Sequence, residues 1–332
     1  MTIQELANKK ILILDGAMGT MIQRHKFKEE DFRNDELINH PKPVQGNNDL
    51  LSITQREVIR EIHEEYLKAG ADIIETNTFN STSISQADYG LEGWAYRINK
   101  AAAEVAKEAT AKFSTEEHSR FVAGSIGPTN RTASLSPDVN RPGFRAITFD
   151  ELKDAYAEQT NGLIDGGADV LLVETVFDTL NAKAALLAVQ SVMKEKGVEL
   201  PIMVSGTITD ESGRTLSGQT ARAFMISLSH VPLFSIGFNC ALGADQLIQY
   251  VDVLSQHSNA QVSAHPNAGL PNAMGEYDQD ATVFSNLIEP YFERELVNVI
   301  GGCCGTTPEH IKKLSELASQ YSPRKLEDKV TA

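Results

Sequence analysis

The stretch Ala69-Gly-Ala-Asp-Ile-Ile-Glu-Thr76 returns later in the chain as Gly166-Gly-Ala-Asp-Val-Leu-Leu-Val-Glu-Thr175. In each copy, glycine follows a helical pattern, and Ala-Asp then leads into a short apolar run of the strand type. Each apolar run ends in Glu-Thr. A repeated passage from helix end to strand is expected where one βα unit is used many times, as in a barrel of parallel strands.

Short apolar runs alternate with helical patterns along the whole chain. Most runs are apolar on consecutive residues, which is typical of strands buried on both faces. The predicted strands are Ile11–Asp15, Asp72–Thr76, Phe121–Ser125, Val170–Glu174, Ile202–Gly206, Ser235–Asn239, Gln261–His265 and Val297–Gly301. The predicted helices are Gln55–Ala69, Arg97–Lys112, Asp150–Asp165, Thr179–Lys196, Ala221–Ser229, Ala244–Gln256, Ala281–Arg294 and Pro308–Ser319.

Eight βα units in series predict an α/β fold, a (β/α)8 TIM barrel. The rival fold is a doubly wound open sheet, which usually carries a G-x-G-x-x-G fingerprint after its first strand. Here the first strand runs into Asp15-Gly-Ala-Met-Gly19, which lacks that spacing. Capping-box spacing marks two helix starts, at Thr54-Gln-Arg-Glu57 and Thr148-Phe-Asp-Glu151. We expect one barrel domain over residues 1–320, followed by a linker or tail over 321–332.

Composition excludes several classes of function. The 332 residues include 45 acidic and 30 basic side chains, giving a formal net charge of −15. Such a balance disfavours nucleic acid or an anionic membrane as a partner, because both need clustered Lys and Arg. No apolar run approaches the length of a membrane span, and the first run, Ile11–Leu14, is too short for a signal peptide. The sequence therefore predicts a cytoplasmic protein with neither partner.

The three cysteines follow predicted strands. Cys240 comes after the sixth strand, and Cys303 and Cys304 come after the eighth. Ligands bind at the C-terminal strand ends of such a barrel, so three thiolates would converge there. This set suits zinc and leaves a fourth position open, as in catalytic sites. His265 is a possible fourth ligand, or it points away from the site; free cysteines that serve only as small buried hydrophobes remain the alternative.

The chemistry of such a site favours a substrate thiol. Three thiolate ligands make zinc a weak activator of water, whereas bound zinc lowers the pKa of an incoming thiol. Glu174 ends an apolar strand and needs a partner, either a substrate ammonium or an internal salt bridge. Asp15 offers a second carboxylate, and the turn at Gly16 and Ala17 offers backbone N–H groups to a carboxylate. Together they indicate an amino acid that carries a thiol.

Four motifs resemble the zinc-dependent homocysteine S-methyltransferase family. They are Asp15-Gly-Ala-Met-Gly-Thr20, Gly70-Ala-Asp-Ile-Ile-Glu-Thr-Asn-Thr-Phe79, Gly237-Phe-Asn-Cys-Ala-Leu-Gly243 and Gly301-Gly-Cys-Cys-Gly-Thr306, and the resemblance runs from about residue 10 to residue 320. Within the family, the segments Gly127-Pro-Thr-Asn-Arg-Thr132, Ser136-Pro-Asp138 and Gly46-Asn-Asn-Asp-Leu-Leu51 look like the N-terminal module of cobalamin-dependent methionine synthase. Free-standing relatives that use betaine or S-methylmethionine are the alternative.

The resemblance implies zinc on Cys240, Cys303 and Cys304, with the sulfur of homocysteine as fourth ligand. It implies that Glu174 and Asp15 meet the substrate amino group, and that backbone N–H groups near Gly16 and Ala17 meet its carboxylate. The implied reaction moves a methyl group from methylcobalamin to homocysteine and yields methionine, with methyltetrahydrofolate restoring the methyl group. Without substrate, the side-chain oxygen of Asn267, or water, is expected to fill the fourth position.

One departure from the family pattern limits what this chain is expected to do. None of its eight histidines lies in the D-x-H-x-x-G context that binds cobalt in the cobalamin module. We therefore expect a fragment or separately encoded module that works with folate- and cobalamin-binding modules, with 321–332 beginning the linker. A zinc hydrolase and a homocysteine-binding module without turnover remain alternatives.

Overall fold

The computed structural model describes residues 1–209, 212–272, 275 and 277–326. Within these ranges the strands are β1 (Leu12–Ile13), β2 (Ile73–Glu75), β3 (Phe121–Ile126), β4 (Val170–Val176), β5 (Ile202–Gly206), β6 (Ser235–Gly243), β7 (Gln261–Asn267) and β8 (Val299–Ile300). All neighbouring strands are parallel and follow the order β1-β8-β7-β6-β5-β4-β3-β2.

One long helix follows each strand. These helices are α1 (Arg56–Lys68), α2 (Ala95–Phe113), α3 (Phe149–Asp165), α4 (Thr179–Lys196), α5 (Ala221–Leu228), α6 (Ala244–His257), α7 (Ala281–Glu293) and α8 (Pro308–Ala318). Shorter α-helices span Ile3–Ala7, Met18–Gln23, Leu51–Thr54 and Ser83–Gln86, and single 3-10 turns span Glu29–Phe32, Asn48–Leu50, Ala87–Tyr89 and Glu92–Trp94.

The sheet closes on itself between β1 and β2. Leu14 forms a parallel bridge with Ile73. The backbone N–H of Asp15 donates to the carbonyl of Ile73 over 3.0 Å, and that of Asp72 donates to the carbonyl of Ile13 over 2.7 Å. The predicted (β/α)8 barrel is therefore confirmed.

Successive side chains along each strand point alternately into the barrel and away from it. The lower interior is apolar and is closed from beneath by the Ile3–Ala7 helix; it contains Leu12, Leu14, Ile73, Phe121, Ala123, Val170, Leu172, Met203, Phe234 and Val299. Because side chains two residues apart share a face, Glu75 follows Ile73 and Glu174 follows Leu172 on the inner side. The interior of the barrel is therefore apolar at its base and carries carboxylates at the C-terminal strand ends.

Only one of the two predicted capping boxes forms. The Thr148 hydroxyl accepts the backbone N–H of Glu151 at 3.2 Å, and the Glu151 carboxylate accepts the N–H of Thr148 at 2.8 Å. The Thr54 box is wrong: α1 begins at Arg56 with Gln55 before it, and no side chain caps that start. Thr54 instead completes the short Leu51–Thr54 helix, so its backbone is already helical.

The packed domain continues past residue 320. The Tyr321 ring packs against Phe292, and its hydroxyl donates to Glu289 over 2.8 Å. Arg324 is buried and donates to the carbonyls of Ser255 and Ser258. The division into a barrel over residues 1–320 and a linker or tail over 321–332 stays a prediction, and residues 327–332 of that segment lie outside the described residues. No helix in the described ranges combines the length and apolarity needed to cross a membrane.

Candidate metal and substrate site

The three cysteines converge at the barrel mouth. Their sulfur atoms all lie within 4.8 Å of one another, and those of Cys240 and Cys304 are 3.8 Å apart. Among the described residues, no other three His, Cys, Asp or Glu side chains come this close. A tetrahedral zinc with bonds of about 2.3 Å to sulfur holds its sulfurs about 3.8 Å apart, so the cluster fits zinc.

The backbone is strained where it presents the site. Cys240 and Ala241 have φ of 60° and 59°, and Thr175 has φ of 53°. Register shifts interrupt β4 between Val173 and Val176 and β6 between Asn239 and Gly243. Non-glycine residues adopt this left-handed region at a cost, and strain of this kind concentrates at functional sites. At these two register shifts, Thr175 and Cys240 depart from the regular alternation of side chains along the strand.

Two buried amides hold the strand ends together. The Asn239 side-chain oxygen accepts the backbone N–H of Thr175 at 3.1 Å and the hydroxyl of Ser205 at 2.7 Å. The Asn267 side-chain oxygen accepts the backbone N–H of Cys304 at 3.1 Å. Asn267 thus supports the turn that carries two of the cysteines. Its role as a zinc ligand without substrate stays a prediction.

The thiols are electrostatically linked. Hydrogen bonds from Cys240 and Cys303 lower the pKa of the Cys304 thiol to about 3, and a hydrogen bond from Tyr277 adds to this. Hydrogen bonds to Cys240 and Cys304 raise the pKa of Cys303 well above its ordinary value. The three sulfurs therefore interact strongly with one another, and a bound cation would favour the deprotonated form of all three thiols. Sequence reasoning missed Tyr277, which lies in a loop without a recognisable pattern.

His265 lies outside the cysteine cluster. It is buried on β7, and its Nε2 atom has no hydrogen-bond partner among the described residues. Burial lowers its pKa to about 3, so the imidazole is neutral. The possibility that His265 supplies a fourth ligand gains no support from this arrangement.

Three carboxylates line the mouth beside the cysteines. Asp15 and Glu174 are buried, whereas Glu75 is partly exposed to the cavity. The hydroxyls of Ser125 and Thr175 donate to Glu174, and the backbone N–H of Glu75 donates to Asp15 over 3.1 Å. Burial raises the pKa of Glu174 to about 7 and, together with the Glu174 charge, raises the pKa of Asp15.

The carboxylates and cysteines share a cavity of about 870 Å³. Its acidic lining residues are Asp15, Asp49, Glu75, Asp88, Glu174 and Asp278, and the described lining includes no Lys, Arg or His. Two connecting loops contribute to its lining. Gly46, Asn47, Asn48 and Asp49 come from the segment between β1 and β2, and Asn130 comes from the segment between β3 and α3. The cavity therefore suits a ligand with positive charge near the carboxylates.

Gly16 and Ala17 form a tight turn beside Asp15. A Cβ atom on Gly16 would lie 2.7 Å from the hydroxyl of Thr306 and 2.9 Å from the ring of Tyr66, so only glycine fits. The N–H of Ala17 already donates to the Thr306 hydroxyl over 3.2 Å. Binding of a substrate carboxylate by this turn stays a prediction.

Sequence reasoning placed Glu75 at a strand end but gave it no role. Its signal was present in the repeat, because Ala69–Thr76 and Gly166–Thr175 both end in Glu-Thr. The echo aligns Glu75 with Glu174, and the structure places both on the inner face of the barrel mouth.

Comparison with known proteins assigns this chain to a family. A family model described as homocysteine S-methyltransferase matches residues 12–318. The metallated form of the homocysteine methyltransferase MmuM from Escherichia coli is similar, with a TM-score of 0.72 and 22% identity, covering 95% of this chain and 98% of that one. Its oxidized and apo forms give TM-scores of 0.71 and 0.68, each at 21% identity. On the match to the family model, this chain belongs to the homocysteine S-methyltransferase family.

Proposed function

We propose that this chain binds zinc through Cys240, Cys303 and Cys304 and activates the thiol of homocysteine for methyl transfer, which yields methionine. The observation that carries the proposal is the convergence of three thiol sulfurs in a cavity that also holds buried carboxylates. Sulfur ligands and acidic groups together match a substrate with a thiol at one end and an ammonium at the other.

The metal and the chain have separate tasks. When bound, zinc supplies a positive charge that keeps the substrate sulfur deprotonated near neutral pH. The three cysteines hold the metal, and Asn267 fixes the turn that carries Cys304. Glu174, held by hydroxyls of Ser125 and Thr175, accepts the substrate ammonium. These hydrogen bonds fix the Glu174 carboxylate before the substrate binds. Less entropy is therefore lost when the bound substrate, with its thiol, is oriented for the reaction.

Asp15 and the adjacent turn complete recognition of the amino acid. One oxygen of Asp15 is bonded to the N–H of Glu75, and the other is buried without a partner among the described residues. An ammonium would satisfy that free oxygen, since a buried unpaired acceptor is costly. The turn at Gly16 and Ala17 receives the substrate carboxylate, with the Ala17 N–H exchanging its bond to Thr306 for the ligand.

We take methylcobalamin as the methyl donor, presented by a separate cobalamin-binding module. The motifs around Gly127 and Gly46 support this choice, because they look like the homocysteine-binding module of cobalamin-dependent methionine synthase. The cavity of about 870 Å³ exceeds what homocysteine needs and leaves room above the cysteines for a donor.

The acidity of the cavity favours a second candidate, a free-standing methyltransferase with a cationic donor. S-methylmethionine is a sulfonium and betaine a quaternary ammonium, and either would be attracted to a mouth whose described lining has six carboxylates and no basic side chain.

A donor assay tests the proposal. Zinc-loaded protein is incubated with homocysteine and methylcobalamin, S-methylmethionine or betaine, and methionine is measured. We expect slow formation from methylcobalamin, because no partner module orients the donor. Methionine formed only from a sulfonium or quaternary ammonium donor establishes the second candidate. Homocysteine binding without methionine from any donor identifies a binding module, and methionine from methyltetrahydrofolate alone would contradict the donor assignment.

A further inference from the structure

Glu75 is a carboxylate that the proposed function leaves without a task. It is the last residue of β2 and follows Ile73 on the inner face. It lines the same cavity as Asp15, Glu174 and the three cysteines, and it is partly exposed there. An acidic side chain at this depth costs free energy unless a ligand or partner compensates its charge.

No such partner comes from the part of the chain that the structure describes. Among the described residues, no hydrogen bond or ion pair reaches the Glu75 carboxylate, whereas Glu174 receives two hydroxyls. Burial, with the negative charges of Glu174 and Asp15, raises the pKa of Glu75 well above its ordinary value. Beside it, Asp15 is only 2% exposed, and its Oδ1 atom has no hydrogen-bond partner among the described residues. The barrel mouth thus presents acceptor oxygens to one cavity for which the described residues supply no donors.

The chemistry of these acceptors suits an organic cation with several N–H groups. The three carboxylates do not approach one another as closely as the cysteine sulfurs do, and within the described chain only the cysteines form a metal-type cluster. An N–H···O bond places oxygen about 2.8 Å from nitrogen, farther than the roughly 2.1 Å of a small divalent metal. A primary ammonium has three N–H donors, one for each carboxylate.

We infer that Glu75 is a third acceptor for the substrate ammonium, beside Asp15 and Glu174, and that it makes this site selective for a primary amine. The inference rests on the proposed function, since it assigns a residue to the same substrate. Sulfonium and quaternary ammonium groups have no N–H to donate, so the Glu75 contact distinguishes the amino acid from such donors.

The test compares Glu75→Gln with wild type in the zinc-loaded full chain. Dissociation constants are measured by calorimetry for homocysteine and for 4-mercaptobutanoate, which has the same thiol and carboxylate but no amino group. We expect homocysteine to bind on the order of tenfold more weakly to Glu75→Gln. The affinity for 4-mercaptobutanoate should stay unchanged or increase, because that ligand never contacts Glu75. Zinc content should be equal in both proteins.

Two controls separate the possible failures. Glu61→Gln removes an exposed charge on α1 and should leave both affinities unchanged. The second control is Glu174→Gln, which should weaken homocysteine binding whether or not the inference about Glu75 is correct. If Glu174→Gln has its effect and Glu75→Gln has none, the inference about Glu75 is overturned and the proposed function stands. Equal weakening of both ligands by Glu75→Gln shows a structural role and also overturns it. Wild type that binds no homocysteine overturns both proposals.

Discussion

The side-chain oxygen of Asn267 accepts the backbone N–H of Cys304 across 3.1 Å, which joins the end of β7 to the turn after β8. The bond leaves one lone pair of the oxygen free, and the predicted contact of Asn267 with zinc would use that lone pair. Groups that orient metal ligands typically change metal affinity by roughly 10- to 100-fold.

Asn267→Ala should therefore weaken zinc binding by about 10- to 100-fold, measured by competition with a chelating dye. Asn267→Asp keeps an acceptor for the Cys304 N–H and should retain more of the affinity. Asn140→Ala, an exposed position in the loop after β3, is the control and should bind zinc like wild type. Wild-type zinc affinity in Asn267→Ala would show that the amide contributes nothing to the site.

Glu174→Gln should weaken homocysteine binding while zinc stays bound. A contact between a partly buried carboxylate and an ammonium is worth about 2–3 kcal/mol, or roughly a 30- to 150-fold loss in affinity. A thiol without an amino group, such as 4-mercaptobutanoate, should be nearly indifferent to the change. Loss of affinity for both ligands would instead indicate damage to the fold.

Stability without substrate should fall as the pH rises. The folded-state pKa of Glu174 is raised by burial from 4.5 to about 7. The folded protein therefore holds a proton that the unfolded chain releases, and the associated stability is present below pH 4.5 and lost as the pH approaches 7. At pH 8, Glu174→Gln should be more stable than wild type by about 1–3 kcal/mol in urea unfolding of the zinc-loaded protein. No difference in the pH dependence of the two proteins would refute the buried-charge assignment.

Gly16→Ala should disturb the turn beside Asp15. The added Cβ atom would meet the Thr306 hydroxyl at 2.7 Å and the Tyr66 ring at 2.9 Å, and overpacking of this kind costs about 1–3 kcal/mol. Gly19→Ala is the matched control, because its Cβ atom meets nothing within 4 Å and alanine favours the Met18–Gln23 helix. Thermal unfolding of both variants tests this, and equal stability of Gly16→Ala and wild type would contradict the packing.

The sequence predicted the barrel well because buried parallel strands leave an unmistakable pattern. Helix Thr179–Lys196 and strand Ile202–Gly206 lie where expected. Strand β6 runs on to Gly243 rather than ending at Asn239, because a bulge carries the ladder past Cys240. Bulges depend on the neighbouring strand, and a single chain segment does not reveal them.

The convergence of the three cysteines was predictable from the sequence, whereas the electrostatics of the site were less so. Cys240, Cys303 and Cys304 lie at strand ends that must meet in any closed barrel, and the structure brings their sulfurs together. The coupling of Glu75 to Asp15 and Glu174 depends on distances across the barrel mouth, which no local pattern encodes. The contact of Tyr277 with Cys304 comes from a loop and was equally hidden.

The most direct measurement is X-ray absorption at the zinc edge, before and after homocysteine is added. We expect about one zinc per chain, bound by three sulfurs and one lighter atom without substrate and by four sulfurs with homocysteine. Cys240→Ala should lose most of the zinc, or retain it with one sulfur fewer. An unchanged sulfur count after saturation with homocysteine would contradict the claim that the substrate thiol enters the metal site.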